Sequence, residues 1–232
     1  MRSLYLFILM VVSFYSNAQI GSQDVFYNEN DYLVVIIPAD SVNNLMSVES
    51  SATVNFSSKN LITINSFPTK DNCLPIGLLI SGKKKVNSLN LNGGGGNFFL
   101  KPNAVFSISK SGKVEITEST IFKRKSFMAF QSGPAMILKS VVHPAFNYFS
   151  KNLNFRSAIG LFKDDKGVEQ VILAVSKKKV NLFDMAEMLL NRFGCDNAVS
   201  LQSGNCFLTV NGVKWSSNQP CEQSCHAIVF RR

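Results

Sequence analysis

The sequence has little of what would identify a common functional class at once. It contains 2 histidines and 5 cysteines in 232 residues, and Cys221 with Cys225 forms only half of a zinc knuckle. No Lys-Ser or Lys-Thr follows the glycine run 93–96, which excludes a P-loop. After residue 14, no stretch approaches the roughly 18 continuous apolar residues of a transmembrane helix. We therefore predict no P-loop nucleotide site, no metal site and no cofactor.

The chain is basic, with 24 Lys and Arg against 15 Asp and Glu and a formal net charge of +9. The basic residues are scattered, apart from short runs at 83–85, 123–125 and 177–179, where turns are expected. One interpretation is a set of solvated loop tips, and the other is attraction to polyanions such as phosphate-bearing glycans. Aromatic and basic residues do not interleave as they do on nucleic-acid-binding surfaces, so no nucleic-acid partner is expected.

The amino terminus has the pattern of a secretory signal peptide. Arg2 supplies a positive charge, residues 4–14 are almost wholly apolar, and 16–18 is a small-residue run suited to cleavage. The alternative is a short membrane anchor or a buried strand, although about a dozen apolar residues is short for a bilayer span. We predict a signal peptide at 1–18 and a single domain at 19–232 with a net charge of +9 − 1 = +8. The protein is then secreted or periplasmic, with no membrane contact after cleavage.

The cysteines predict disulfides if the chain is exported. Their odd number leaves at least one thiol free or bound to another chain. A local bridge between Cys221 and Cys225 is one pairing. A bond from either of them to Cys195 or Cys206 is the other, and the sequence does not decide between the two.

Short β-branched and apolar runs bounded by Gly, Asn and Ser predict a strand-rich fold. We predict a mixed α/β (α+β) architecture, a mixed sheet with a few covering helices in a single domain. Residues 164–167 have the composition of a hairpin turn. The predicted strands are Tyr32–Ile37, Ala52–Phe56, Leu61–Ile64, Leu74–Ile80, Ala104–Ser109, Lys113–Thr117, Ser157–Phe162, Gln170–Val175, Asn197–Leu201, Phe207–Val210 and His226–Phe230.

One helix is predicted over 182–193. Its apolar residues recur at i, i+3, i+4, i+7, i+8 and i+11 from Leu182. Asn181 suits the N-cap, with Asp184 three residues on, and Gly194 stands where a left-handed residue ends a helix.

Four motifs carry side chains or backbone suited to binding or proton transfer. Gly93–Gly96 is either a flexible loop or a loop whose backbone approaches a ligand. Gln131 precedes a Gly-Pro turn, and its amide either is solvated or binds sugar hydroxyls. His143 is either structural or a general acid or base. Arg156 either pairs with a carboxylate such as Asp164 or binds a phosphodiester through two N–H groups.

Together these motifs resemble the phosphodiester glycosidase family over roughly residues 60–212. That family includes the lysosomal enzyme that uncovers mannose-6-phosphate and many bacterial secreted proteins. The resemblance implies hydrolysis of a sugar-1-phosphodiester, with a glycan or sugar phosphate as substrate. The matching segments are GGGGNFFLKPNAVF (93–106), QSGPAMI (131–137), HPAF (143–146), FRSAIG (155–160) and VNLFDMAEMLLNRFGCDNAVSL (180–201).

The resemblance also implies roles for individual residues. Arg156 corresponds to a phosphate-binding residue and His143 to a proton-transfer residue, which makes these two the catalytic candidates. The substrate-binding candidates are Asn65, Asn97, Gln131, Gly133 and Gln202.

Two loops depart from the family pattern. Gln202 stands where the family has an acidic residue, and a Gln side chain cannot act as a charged base. The 65–67 loop keeps Asn65 but lacks the glycine that commonly follows it. Three hypotheses therefore remain: an active or weakly active exported glycosidase, an inactive domain that binds glycan or phosphoglycan, and a secreted interaction domain without a ligand.

Overall fold

A computed structural model describes residues 18–19, 25–28, 31–123, 125–217, 220 and 223–232. The predicted signal peptide, apart from Ala18, lies outside the described residues, as does Cys221. Within those described ranges, no helix is long and apolar enough to cross a membrane.

The described residues form many short strands and few helices. The helices are α1 (Ala39–Leu45) and α2 (Leu182–Phe193), with 3₁₀ turns at Ser51–Thr53, Asn97–Phe99 and Ser119–Ile121. The strands are β1 (Ala18–Gln19), β2 (Val25–Asn28), β3 (Tyr32–Pro38), β4 (Met46–Ser50), β5 (Leu61–Asn65), β6 (Leu79–Ser81), β7 (Lys84–Asn87), β8 (Ala104–Ser109), β9 (Val114–Glu118), β10 (Ser126–Ser132), β11 (Ala135–Leu138), β12 (Val141–Val142), β13 (Ser157–Lys163), β14 (Glu169–Ser176), β15 (Asn197–Ser200), β16 (Phe207–Val210), β17 (Val213–Ser216) and β18 (His226–Arg231).

The strands form three sheets with the orders β1-β2-β3-β14-β13-β15-β11-β12, β7-β6-β10-β8-β9 and β17-β16-β5-β18-β4. The prediction of a strand-rich fold is confirmed, but the prediction of a mixed sheet is wrong, because every strand pairing in the described residues is antiparallel. The fold is mostly β rather than mixed α/β. One physical reason lies in the hairpins: tight turns such as 164–168 reverse the chain, whereas parallel pairing needs long crossovers.

One hydrophobic core joins the three sheets, and a second lies under α2. The first contains Ile37 and Ile159 of the eight-stranded sheet, Phe130 of the second sheet and Ile64 of the third. The second packs the apolar face of α2, including Leu189, against the other side of the eight-stranded sheet.

Helix α2 has the predicted bounds. The Asn181 side chain accepts a hydrogen bond from the backbone N–H of Asp184, and Gly194 closes the helix in the left-handed conformation. Most predicted strands are present with small changes at their ends, but the strand predicted at Leu74–Ile80 is wrong over most of its length, since β6 begins only at Leu79. The strand predicted at 52–56 is wrong, because its start is a 3₁₀ turn and its apolar side chains fill a small separate core from a loop.

Among the described cysteines, a disulfide joins Cys73 to Cys225, with a Cα–Cα distance of 5.2 Å. The predicted partners of Cys225 were therefore wrong. Cys195 and Cys206 are free and buried. Both lie in the interior, whereas Cys225 precedes the first residue of β18 and meets the exposed 70–74 turn.

Candidate functional site

Four strands begin or end at one place in the molecule. Strand β5 ends at Asn65, β10 ends at Ser132, β13 begins at Ser157 and β15 ends at Ser200. Backbone hydrogen bonds tie the following loop to its neighbours: residue 201 donates to the carbonyl of Ser157 at 2.9 Å, and residue 202 to the carbonyl of 66 at 2.9 Å. The 201–204 loop, where the sequence departs from the family pattern, is thus held between these strand ends.

The carbonyl of Gln202 is the centre of a buried network. It accepts hydrogen bonds from Asn65 Nδ2 at 2.9 Å, Ser157 Oγ at 3.0 Å and Cys206 Sγ at 3.3 Å. Asn65 Nδ2 also donates to Ser157 Oγ at 2.7 Å, and Asn65 Oδ1 accepts from the backbone of Phe207. The Asn65 amide is therefore engaged within the protein, where it fixes the loop that carries Gln202.

Arg156 lies beside this network, and only 1% of it is exposed. Its guanidinium donates to Ser203 Oγ at 3.1 Å, to the carbonyl of Asn152 at 2.8 Å and to the carbonyl of Val180 at 3.3 Å. Among the described residues, no carboxylate pairs with it. The alternative of a salt bridge to Asp164 is wrong, because that side chain instead accepts hydrogen bonds within the turn at the far end of β13.

The charge of Arg156 is therefore uncompensated by the described part of the chain. Burial lowers the pKa of its guanidinium, and the nearby Cys206 opposes that shift. Burial raises the pKa of the Cys206 thiol to about 12, so this thiol is uncharged at neutral pH. Arginine remains protonated in proteins, and a buried cation is costly unless an anion faces it. An anionic group bound beside Arg156 would compensate this charge.

A cavity of about 130 Å³ opens at Arg156. Of the described residues that line it, Arg156 alone carries a charge, and amide side chains form much of the remaining polar wall. Leu182 and Phe183 line it from the first turn of α2, whose N-terminal end favours negative charge. Whole small ligands fill cavities of about 300–1,000 Å³. This cavity therefore accommodates one small group of a larger molecule, and its chemistry favours an anion.

His143 is buried next to the cavity, behind the ring of Phe146. Its Nδ1 accepts a hydrogen bond from the backbone N–H of Ala145 at 3.1 Å, and its ring stacks on Phe146 with centroids 4.7 Å apart. Phe146 lines the cavity. Burial lowers the pKa of His143, although the carbonyls of Lys101 and of His143 itself oppose this shift. The ring is thus neutral at pH 7 with its proton on Nε2, which is near the Lys101 carbonyl but makes no well-formed hydrogen bond to any described residue.

Gln131 and Gly133 belong to a second network. The Gln131 amide accepts from the backbone of Leu78 and Asn90 and donates to the Asn90 carbonyl at 2.7 Å. A Cβ atom added to Gly133 would lie 2.6 Å from the Cβ of Asn103, so glycine permits this close approach. The two residues hold the 90–103 region in place, and neither lines the cavity.

Only two of the seven candidate residues line the cavity directly. Asn97 and Arg156 line the cavity. Asn65 and the backbone of Gln202 are connected to the cavity through the 201–204 loop, whose Ser203 contacts Arg156. The Gln202 side chain makes no hydrogen bond to any described residue. His143 reaches the cavity through a stacked ring, and Gln131 and Gly133 support the wall. Sequence reasoning gave no role to Asn152 and Ser203, two of the three residues that accept hydrogen bonds from the guanidinium, because neither stands in a distinctive pattern.

Comparisons with known proteins identify a matching family and similar folds. A family model described as "Phosphodiester glycosidase" matches residues 47–224. The "Uncharacterized protein YigE" of Escherichia coli (strain K12) is 31% identical over 114 residues, which are 48% of this chain and 43% of that protein. The catalytic domain of zebrafish N-acetylglucosamine-1-phosphodiester alpha-N-acetylglucosaminidase, described as auto-inhibited by its pro-peptide, is 16% identical with a TM-score of 0.60. That match covers 94% of this chain and 85% of the zebrafish domain.

A hypothetical protein from Synechocystis is also similar, at 16% identity and a TM-score of 0.56, over 90% of this chain and 62% of that one. At these identities the two solved structures share the fold. This chain spans less than two thirds of the YigE and Synechocystis proteins. The family model covers most of the present chain, including every candidate residue.

Proposed function

This chain belongs to the phosphodiester glycosidase family, and from that premise we propose that it is an exported protein that binds and hydrolyses a sugar-1-phosphodiester. In this reaction, water cleaves the bond between the sugar and the phosphate. The products are a free sugar and a phosphomonoester. The reaction needs a group that binds the phosphate, groups that bind sugar hydroxyls and a group that transfers a proton.

One observation carries the proposal: the guanidinium of Arg156 is buried beside a small cavity and has no carboxylate partner among the described residues. A phosphodiester carries one negative charge that a guanidinium can bind through parallel N–H···O bonds. The partners present now, Ser203 Oγ and two backbone carbonyls, are neutral. A bound phosphodiester would supply the missing charge.

The remaining candidates have different proposed roles. Asn97 lines the cavity and contacts the sugar directly. Neutral His143, with a proton on Nε2, has the proposed role of general acid toward the leaving phosphate oxygen. Because Phe146 lies between its ring and the cavity, this proton transfer needs a bridging water or a movement of the Phe146 ring. Asn65, Gln131, Gly133 and Gln202 act on substrate binding through the loops that they hold.

A second candidate function is binding without turnover. Gln202 supports it, because the family pattern has an acidic residue at this position and no described residue lining the cavity is acidic. Losing a proton-transfer group costs about 10²–10⁴ in rate. Anion binding by Arg156 does not depend on that acid.

Turnover of an N-acetylglucosamine-1-phosphodiester by the wild type, Gln202→Asp and Gln202→Asn separates the two functions. We expect slow wild-type turnover and a higher rate for Gln202→Asp, while Gln202→Asn, of matched size but uncharged, remains slow. Rapid wild-type turnover would show that the acid is dispensable and exclude the binding-only function. If all three proteins bind the substrate and none hydrolyses it, hydrolysis of this substrate is excluded and the binding function is favoured.

Export is a separate part of the proposal. It is supported by the signal-peptide pattern at 1–18. We propose a glycan or sugar-phosphate substrate outside the cytoplasm, and no nucleic-acid or membrane partner for the mature protein. N-terminal sequencing of secreted material should begin at Gln19. Mature protein that begins at Met1 would contradict export by signal cleavage.

A further inference from the structure

Two adjacent aromatic side chains are exposed beside the Arg156 cavity. Tyr148 is 62% and Phe149 is 77% exposed. Their rings meet edge to face with centroids 5.1 Å apart. Single exposed apolar residues are ordinary, whereas contiguous exposed apolar surface, such as that of two adjacent aromatic rings, often marks a binding site.

The loop holds these rings in a defined arrangement. The backbone N–H of Phe149 donates to Asn147 Oδ1 at 2.8 Å, which forms a local turn. The N-cap residue of α2, Asn181, donates its side-chain Nδ2 to the carbonyl of Tyr148 at 3.0 Å. The Tyr148 ring also packs against Phe183 of the first helical turn, with centroids 5.9 Å apart. The aromatic pair is therefore anchored to α2.

The same anchors connect the pair to the cavity. Asn147 and Ser150, on either side of the pair in sequence, line the cavity, and so does Phe183. Because the cavity has room for one small group, the organic parts of a bound phosphodiester must extend past its rim. The pair adjoins that rim, because Asn147 and Ser150 flank it in sequence and Phe183, which contacts Tyr148, also lines the cavity.

We propose that Tyr148 and Phe149 form a stacking subsite for the sugar ring of the substrate, an inference that rests on the proposed function of Arg156. One face of a pyranose carries C–H groups with partial positive charge, which suit the negative face of an aromatic ring. The cavity side of the rim offers amide and hydroxyl groups from Asn147, Ser150 and Asn152 for sugar hydroxyls. This alternation of aromatic and polar groups fits a sugar better than a lipid chain, which would leave the rim amides unpaired.

The test compares two probes that differ only in the sugar: dimethyl phosphate, and the methyl phosphodiester of N-acetylglucosamine-1-phosphate. Calorimetry would measure the affinity of both for the wild type, Tyr148→Ala/Phe149→Ala and Phe149→Leu. Ile121→Ala is the control, because Ile121 is also 62% exposed and does not line the cavity. We expect the double variant to lose about 2- to 12-fold affinity for the sugar probe, as for a lost aromatic contact, with no change for dimethyl phosphate.

Phe149→Leu separates stacking from general apolar contact, since leucine keeps apolar surface but has no ring. It should weaken sugar binding, while Ile121→Ala should not. Equal affinities of the double variant and the wild type for the sugar probe would overturn the subsite and leave phosphate binding at Arg156 intact. If neither probe binds the wild type, the proposed function fails and this inference fails with it. Loss of binding to phosphatidylglycerol vesicles without loss of sugar affinity would overturn the subsite in favour of a membrane contact.

Discussion

The Nη1 atom of Arg156 donates a hydrogen bond to the Oγ atom of Ser203 over 3.1 Å. Where the family resemblance places an acidic residue followed by glycine, this chain has Gln202 followed by Ser203. A neutral hydroxyl thus contacts the buried guanidinium in a loop where a carboxylate is expected. This contact occupies one N–H of the guanidinium but leaves its charge uncompensated.

A carboxylate at position 203 should compete with a bound phosphate for the Arg156 guanidinium. We expect Ser203→Asp to pair with Arg156 and to weaken phosphate binding by about tenfold or more, since an opposite charge within hydrogen-bond distance satisfies the guanidinium. Ser203→Asn, which is similar in size and uncharged, is the control and should bind phosphate much as the wild type does. Equal phosphate affinities for the two variants would show that the charge of Arg156 does not determine binding.

The core under α2 gives a stability prediction. Leu189 is fully buried against the eight-stranded sheet, so Leu189→Ala should lower the free energy of unfolding by about 2–5 kcal/mol. Leu153→Ala serves as the matched control, because Leu153 is 48% exposed, and should cost about 0.5 kcal/mol or less. Urea denaturation measures both. A small loss for Leu189→Ala would contradict the packing of this helix.

The two histidines predict a dependence of stability on pH. Burial lowers the pKa of both His143 and His226. The unfolded chain, with histidine pKa values near about 6.5, therefore binds protons at a higher pH than the folded protein does. The free energy of unfolding should fall as the pH decreases through about 6.5, until the lowered folded-state pKa values are reached.

Denaturation between about pH 7.5 and 5.5, above the ordinary range of most carboxylates, isolates this contribution. Comparison of the wild type with His143→Gln should show a shallower fall for the variant, because one of the two titrating groups has been removed. A wild-type stability that rises as the pH decreases would contradict the sign.

The free thiols should be unreactive in the folded protein. Burial raises the pKa values of Cys195 and Cys206 to about 12 each, so almost no thiolate exists at pH 8. In a Cys221→Ser background, Ellman's reagent should label no thiol in native protein and two after denaturation without reductant, because Cys73 and Cys225 form the disulfide. Rapid labelling of one native thiol would contradict the buried position of Cys195 or Cys206.

The elements that could be predicted from the sequence have local signals. Helix α2 is one, since its cap residues, Asn181 and Gly194, and its apolar period all lie within fourteen neighbouring residues. The hairpin of β13 and β14 is another, because its turn residues adjoin both strands. The resemblance to a family indicated the motifs around the cavity, which composition alone does not identify.

The missed features depend on long-range contacts. The disulfide partners, Cys73 and Cys225, are 152 residues apart in sequence. Gln131 resembled a turn residue, yet it is buried in β10 because its amide bonds the distant 78 and 90 backbone positions. The contact of Arg156 with Ser203 likewise depends on how the residue before β13 and the 201–204 loop pack together. No local sequence pattern predicts that packing.

The central claim is that the buried guanidinium of Arg156 binds phosphate, and thermal unfolding with added ligand tests it most directly. A ligand that binds only the folded state stabilises it by about 2.7 kcal/mol at one hundred times its Kd. Inorganic phosphate and dimethyl phosphate should raise the Tm of the wild type in a concentration-dependent way. Arg156→Lys, which keeps the charge, should respond less, and Arg156→Gln should not respond, provided that both unfold cooperatively without ligand. A wild-type Tm unmoved by either ligand, or the same shift in Arg156→Gln, would contradict the account.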